Sequence, residues 1–274
     1  MDDSTPVRFA LVGPGRAGRA VAVRLVTVGS CCSAVAGRTT ASESAADAAR
    51  RLAAPVTEIA DAGRDAELVV VATPDASIEA TAAALAPGVR PGALVVHLAG
   101  ALGVDALAPL AARRPDVELG ALHPLQTLTG FDDGDALVGA WAAVDGSPAV
   151  HALARTLGLR PGAVPDAARR AYHAAAVVAS NHLVALLRQV ERLAAAAGVP
   201  FDAFAPLVRA SVTHAFAAGP AAALTGPVAR GDVVTVARHL DTLEPDEQRA
   251  YRALADEARR LAGRDEPALK AVLA

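Results

Sequence analysis

A chain of 274 residues with a formal net charge of −3 and a pI near 6.2 can bury one or two ordinary cores, and its charge balance argues against nucleic acid or an anionic membrane surface as the main partner. Much of its 53% hydrophobic content is alanine and only 3% of residues are aromatic, which points to helix-rich α/β architecture instead of a membrane protein. No apolar run reaches the length of a membrane span, and the acidic start Met1-Asp2-Asp3-Ser4-Thr5 does not read as a signal peptide, so a cytoplasmic protein is expected.

The first element is a buried strand over residues 9–12, followed by Gly13-Pro14-Gly15-Arg16-Ala17-Gly18 and then a helix. This G-x-G-x-x-G sits in the first strand-to-helix turn, where it signals dinucleotide binding. Gly13 allows the tight turn, Gly15 the close approach of a pyrophosphate, and Gly18 the packing of helix on strand, while the helix N-terminus favours the negative charge. Cys31 and Cys32 follow as half-buried thiols at the start of the second strand, read over 33–37. That strand ends in Arg38, Thr39 and Thr40 where a site for NAD usually carries a carboxylate, so a guanidinium flanked by hydroxyls favours the 2′-phosphate of NADP(H); a solvated surface arginine is the other reading.

A helix over 42–53 and a strand over 68–72 continue the alternation. The strand ends in Thr73-Pro74-Asp75, and proline turns the chain there at the carboxyl edge of the sheet, where ligands bind, so Thr73 and Pro74 are placed on the cofactor. Asp75 either caps the helix over 77–85 or touches the cofactor. Strands over 93–97 and 118–123 each end in a histidine, His97 and His123, which either contact a ligand or bond a loop carbonyl. A last β-rich stretch covers 139–144, and residues 161–165 close a first domain of 1–165.

From Asp166, read as a cap, one helix of roughly thirty residues is expected to reach position 197, opening a helical domain of 166–274 with further helices over 201–217, 233–243 and 246–261. On its α-helical spacing His173, Ala176, Val177, Ser180 and Asn181 share a face, a low floor on which His173 can donate a proton and Asn181 orient a carbonyl; small-residue packing around a buried, hydrogen-bonded histidine is the alternative. Leu224-Thr225-Gly226-Pro227-Val228-Ala229-Arg230-Gly231-Asp232 forms a loop in which Asp232 caps the next helix. Its glycines and proline stiffen the presentation of Thr225 and of Arg230, either to a substrate carboxylate or to solvent. No set of Cys and His has metal-ligand spacing.

Taken together, the glycine turn, His97-Leu98-Ala99-Gly100, Leu122-His123-Pro124-Leu125-Gln126-Thr127, Tyr172-His173-Ala174-Ala175 with Ser180-Asn181, and the loop from Leu224 to Asp232 resemble the bacterial family that joins a Rossmann-like domain to the domain of unknown function 2520. That family is similar to the β-hydroxyacid dehydrogenase and ketopantoate reductase superfamily. The resemblance implies an N-terminal NADP-binding domain and a helical C-terminal domain like that of 6-phosphogluconate dehydrogenase, often a homodimer. Superfamily members use a lysine on the first long helix with an asparagine one or two turns later. Here Lys270, near the C-terminus, is the only lysine, and Val177 stands one turn before Asn181, so His173 would replace the lysine. Some family members are associated with pantothenate synthesis, which implies ketopantoate as substrate.

The expectation is therefore a Rossmann-type parallel sheet followed by an all-helical domain, acting as an NADPH-dependent reductase on a small 2-oxo acid in the cleft between them. His173, Asn181, Arg230, Thr225 and His123 would handle the substrate, and the glycine turn with Arg38, Thr39, Thr73, Pro74 and His97 the cofactor. The alternatives are imine reduction of the pyrroline-carboxylate reductase type, and an NADP(H)-binding sensor without catalysis.

Overall fold

The computed structural model describes residues 6–274, apart from the side chains of 132 and 133; residues 1–5, on which the reading of the N-terminus rests, lie outside the described part. The first elements are β1 (Arg8–Val12), α1 (Arg16–Thr27), β2 (Cys31–Ala36), α2 (Glu43–Arg51), α3 (Ile59–Ala62), β3 (Leu68–Val71) and α4 (Ile78–Leu85). Next come β4 (Leu94–His97), α5 (Ala108–Ala111), β5 (Glu118–Pro124), β6 (Trp141–Gly146), α6 (Pro148–Thr156) and β7 (Arg160–Ala163). The strands form one sheet in the order β2-β1-β3-β4-β5-β6-β7.

Strands β1 to β5 run parallel, and β3 and β4 are buried at every residue because helices cover both faces of the sheet. The alternation within each strand feeds two cores. Phe9, Leu11, Leu68 and Val70 pack with Val21 and Leu25 of α1, while Ala10, Val12, Val69 and Val71 pack with Ile78 and Leu85 of α4 and with Leu107 and Leu110. Cys31 is exposed and Cys32 half-buried at the start of β2, where burial pushes the Cys32 thiol up to about 12 and leaves it without thiolate character.

The sheet departs from the all-parallel expectation in its last two strands. β6 is antiparallel to β5, and β7 is parallel to β6. A parallel return needs a crossover element, usually a helix, and the connection from β5 to β6 forms only a 3₁₀ segment, Phe131–Leu137, lying against α1. β7 contains Pro161 and Gly162, residues that speak against a strand in sequence. It sits at the sheet edge, where proline is tolerated, and a side chain at Gly162 would lie 2.5 Å from the Trp141 ring.

The long helix is also modified. It runs as α7 (Asp166–Val177), a π-helical segment Val178–His182, and α8 (Leu183–Ala196). The wider π turn breaks the 3.6-residue spacing on which a common face for His173, Ser180 and Asn181 was inferred. Asp166 is the first helical residue and not a cap, and its carboxylate accepts Nε of Arg169 at 3.0 Å. Asp75 likewise begins a short 3₁₀ turn and caps nothing with its side chain.

The chain divides into two compact units, Met1–Ser180 and Asn181–Ala274, whereas the sequence places a boundary at 165/166. The second unit contains α8, α9 (Ala205–Ala218), α10 (Pro220–Ala223), α11 (Pro227–Arg230), α12 (Val233–Thr242), α13 (Pro245–Leu261) and α14 (Pro267–Leu273). Its own core joins Val228, Val236, Leu240, Leu243, Ala255, Leu269 and Leu273. Asp232 caps α12 as expected, accepting from Thr235 N at 3.0 Å.

Candidate functional site

The order of the sheet reverses at β1, flanked by β2 and β3, and in open α/β sheets such a switch point opens a crevice beyond the carboxyl ends of the strands. The glycine turn sits there. Gly13 has φ +81°, and a Cβ on it would lie 2.7 Å from Thr73 N at the end of β3. At Gly18 a Cβ would lie 2.7 Å from that of Ala72, so this position keeps α1 against the sheet. Gly15 behaves differently: a Cβ there would meet nothing nearer than Ala72 O at 3.9 Å, so its face is open. The three glycines thus form a tight turn, a close packing contact and an open cradle, in front of a helix whose first-turn amides have no partner within the helix.

No acidic side chain occupies the first turn of α1. Pro14 is buried, Ala17 half-buried and Arg16 exposed, while Arg19 clamps the turn by donating from Nε to Pro14 O at 2.8 Å and pairing with Asp47 at 3.1 Å. Arg38 and Thr39 are exposed just past the carboxyl end of β2, and Arg38 forms no ion pair among the described residues. Thr73 holds a buried hydroxyl without a partner beside the turn, and Pro74 is exposed next to it. The open cradle and this orphaned hydroxyl fit a pyrophosphate-containing dinucleotide.

His97 is fully buried, its Nε2 lies 2.9 Å from Gly103 O, and its Nδ1 accepts Ala99 N at 3.2 Å. Of the two readings open for this residue, the bond to a loop carbonyl is the one that forms. It ties down the loop after β4, and burial holds its pKa below the ordinary value.

That loop carries Gly100 to His123 and His173. His123 projects from β5 and His173 from α7, with ring centroids 5.8 Å apart in an edge-on arrangement. A Cβ on Gly100 would stand 2.8 Å from His123 Nε2 and 2.7 Å from His173 Nδ1, so both nitrogens converge on a face that only glycine leaves free. His173 Nδ1 is buried without a partner. His123 Nδ1 is 2.7 Å from Tyr172 Oη. Burial first, then the charges of His173, Arg169 and His97, lower His123 to about 4, so it is a neutral imidazole near pH 7. Burial pushes the Tyr172 phenol up to about 12.

Sequence reasoning missed Gly100, Tyr172 and Arg169 as parts of this cluster. Arg169 is only 1% exposed, donates from Nε to Asp166, and pairs through Nη2 with Asp145 at 3.3 Å. The same Asp145 carboxylate accepts Val104 N at 3.0 Å, which anchors the end of the loop that holds Gly100. The available signal was spacing, since 169, 172, 173 and 176 fall on one stripe of an α-helix.

The remaining candidates belong to the second unit or border it. Ser180 donates back to Ala176 O at 2.7 Å, within its own helix. Asn181 is exposed in the π segment. Thr225 lines a cavity of about 330 Å³ with Leu186, Gln189, Val228, His239 and Tyr251. Arg230 is exposed at the end of α11, between Gly226 and Gly231, both with positive φ. Arg264 Nε donates to Ala229 O at 2.8 Å and braces this loop. Lys270 pairs with Asp265.

Two domain families match this chain, the Rossmann-like domain over residues 3–124 and the domain of unknown function 2520 over residues 139–258. The chain joins a Rossmann-like domain to a DUF2520 domain. Gly100 and His123 come from the Rossmann-like part, Tyr172 and His173 from the DUF2520 part. The chain is similar to the structure of BF3122 from Bacteroides fragilis, to which NADP oxidoreductase activity is ascribed, with 25% identity and a TM-score of 0.81 over 93% of this chain and 98% of that one. Protein TM1727 from Thermotoga maritima shares the fold at 23% identity and a TM-score of 0.63, covering 97% of this chain and 98% of its own. An imine reductase from Pseudomonas sp. shares it at 20% identity and a TM-score of 0.60, covering 98% and 92%. No curated protein matches the chain.

Proposed function

We propose that this Rossmann-like and DUF2520 protein is an NADPH-dependent reductase of a small 2-oxo acid of the ketopantoate type. The convergence of His123 and His173 on Gly100, at the same sheet edge as the open glycine cradle, carries this reading. The likeness to BF3122, together with Arg38, supports the choice of cofactor. Arg16, Ala17 and Gly18 amides hold the pyrophosphate, and Arg38 and Thr39 hold the 2′-phosphate. When bound, NADPH supplies hydride.

The protein supplies the polar half of the reaction. His123 is neutral and donates a hydrogen bond to the carbonyl oxygen as negative charge builds there, and His173 delivers the proton. For the carboxylate of such a substrate the sequence offers the exposed Arg230, with Asn181 and Thr225 as hydrogen-bonding side chains. The protein acts as a homodimer. Among the residues of α9 none is buried, yet Leu207 and Phe216 are 63% and 89% exposed, and an apolar helix of that kind is covered by a second copy.

The test is NADPH consumption by the purified protein with ketopantoate and related 2-oxo acids on one side and cyclic imines on the other. Turnover of the 2-oxo acids, with NADH a much poorer donor, is expected. Turnover of imines alone overturns the substrate assignment, and tight NADPH binding without turnover of either class identifies a sensor.

A further inference from the structure

The ring of His123 has a partner that the proposed reaction does not use. Tyr172 Oη lies 2.7 Å from His123 Nδ1, with the two rings edge-on at 88° and their centroids 5.5 Å apart. The tyrosine ring also meets that of Trp141 of β6, with centroids 5.7 Å apart, so it packs against aromatic rings from two different strands. A hydrogen bond of this kind can run in two directions, and they present opposite imidazoles to a ligand. If Nδ1 carried the proton and donated to the phenol oxygen, the phenol O–H of the half-buried tyrosine would have to turn to solvent, since among the described residues it has no other acceptor. If the phenol donates, its proton and the Nδ1 lone pair are both used, and the imidazole proton resides on Nε2.

We propose that Tyr172 is a positioning residue for His123: its O–H donates to Nδ1, fixes the Nε2–H tautomer, and aims that N–H at the substrate oxygen beside Gly100. The aim follows from the would-be Cβ of Gly100, which lies 2.8 Å from Nε2. Around the His123 ring, the charged and titratable groups are Arg169, Tyr172 and His173 from α7 and His97 from β4. The buried Arg169 opposes a second proton on the imidazole. His123 is thus a neutral N–H donor, and proton delivery rests with His173. This assignment rests on the reading that the edge around Gly100 is catalytic.

The tautomer is measured on the free protein by long-range ¹H–¹⁵N correlation with ¹⁵N-histidine labelling, which needs no substrate. Its outcome is therefore separate from any failure to find turnover. In the wild type, His123 is expected as the Nε2–H form with no titration between about pH 6 and pH 9. Tyr172→Phe removes the donor, so His123 is expected to become a mixture of tautomers, with kcat about tenfold lower and KM for NADPH unchanged. An Nδ1–H form in the wild type overturns the proposal without any variant. So does a Tyr172→Phe protein that keeps the pure Nε2–H form. Should that variant not fold, 3-fluorotyrosine incorporation keeps the ring shape and strengthens the donor; an unmoved His123 Nδ1 resonance then counts against the assignment.

Discussion

Replacing Gly100 by alanine tests the site with one methyl group. The new Cβ would stand 2.7 Å from His173 Nδ1, 2.8 Å from His123 Nε2 and 2.9 Å from His123 Cδ2. Heavy-atom contacts of this kind settle near 3.5 Å, so the imidazoles must each retreat by about 0.7 Å. Both are tips of side chains rather than backbone, and the φ of Gly100 is not positive, so the protein yields at the histidines and keeps its loop. Overpacking of this sort costs about 1–3 kcal/mol, a fall in melting temperature of a few degrees for a unit of this size. The effect on turnover is larger, because a misplacement near 1 Å at reacting groups costs on the order of 100-fold. Gly100→Ala is therefore expected to bind NADPH like the wild type, melt slightly lower, and lose about two orders of magnitude in kcat. Steady-state NADPH oxidation, nucleotide titration and thermal unfolding measure the three. A variant with wild-type kcat refutes the convergence of the two histidines as the working geometry.

Three further outcomes follow from the same structure. His123 in the folded chain titrates at about 4 against an ordinary 6.5, so on acidification from pH 7 to pH 5 the unfolded chain takes up a proton the folded one refuses; stability falls by about 2 kcal/mol from this group, and the difference is absent in urea unfolding of His123→Gln. His97 shifts in the same direction and remains in the variant, so a wild-type slope equal to that of His123→Gln sinks the assignment. Arg38→Ala should weaken NADPH binding about 10- to 100-fold and leave NADH nearly unchanged in calorimetric titration, whereas equal losses for both nucleotides would remove Arg38 from the 2′-phosphate. Phe216→Glu places a charge on the most exposed large apolar side chain of α9 and should halve the mass seen by light scattering; a wild type that is already monomeric contradicts the homodimer.

The five parallel strands and the glycine turn were legible because apolar runs broken by Gly, Pro or His mark strand ends, and strand ends in a parallel sheet share one edge. The same rule concealed β7, whose Pro161 and Gly162 are tolerated only through an edge position and a Trp141 ring that the local sequence does not announce. It also concealed the reversal at β6, which follows from the lack of a crossover helix after β5. His123 and His173 were both identified as candidates, yet nothing local links them, since position 123 meets position 172 across 49 residues.

The helix shows where periodicity stops being a guide. Successive residues on an α-helix point about 100° apart, so Tyr172 and His173 stand at the two edges of the stripe that also holds Arg169 and Ala176. The imidazole of His123 lies where both can reach it, Tyr172 by a hydrogen bond to Nδ1 and His173 edge-on, because it approaches from a strand and not from along the helix. Beyond Val177 the π turn changes the angular step, and Asn181 loses the register with His173 that a straight helix would impose. On the proposed reading, a strand histidine and a helix histidine meeting over a glycine take the place of the missing lysine, and the departure from α-helical spacing falls just where the lysine-and-asparagine pattern would have required it to continue.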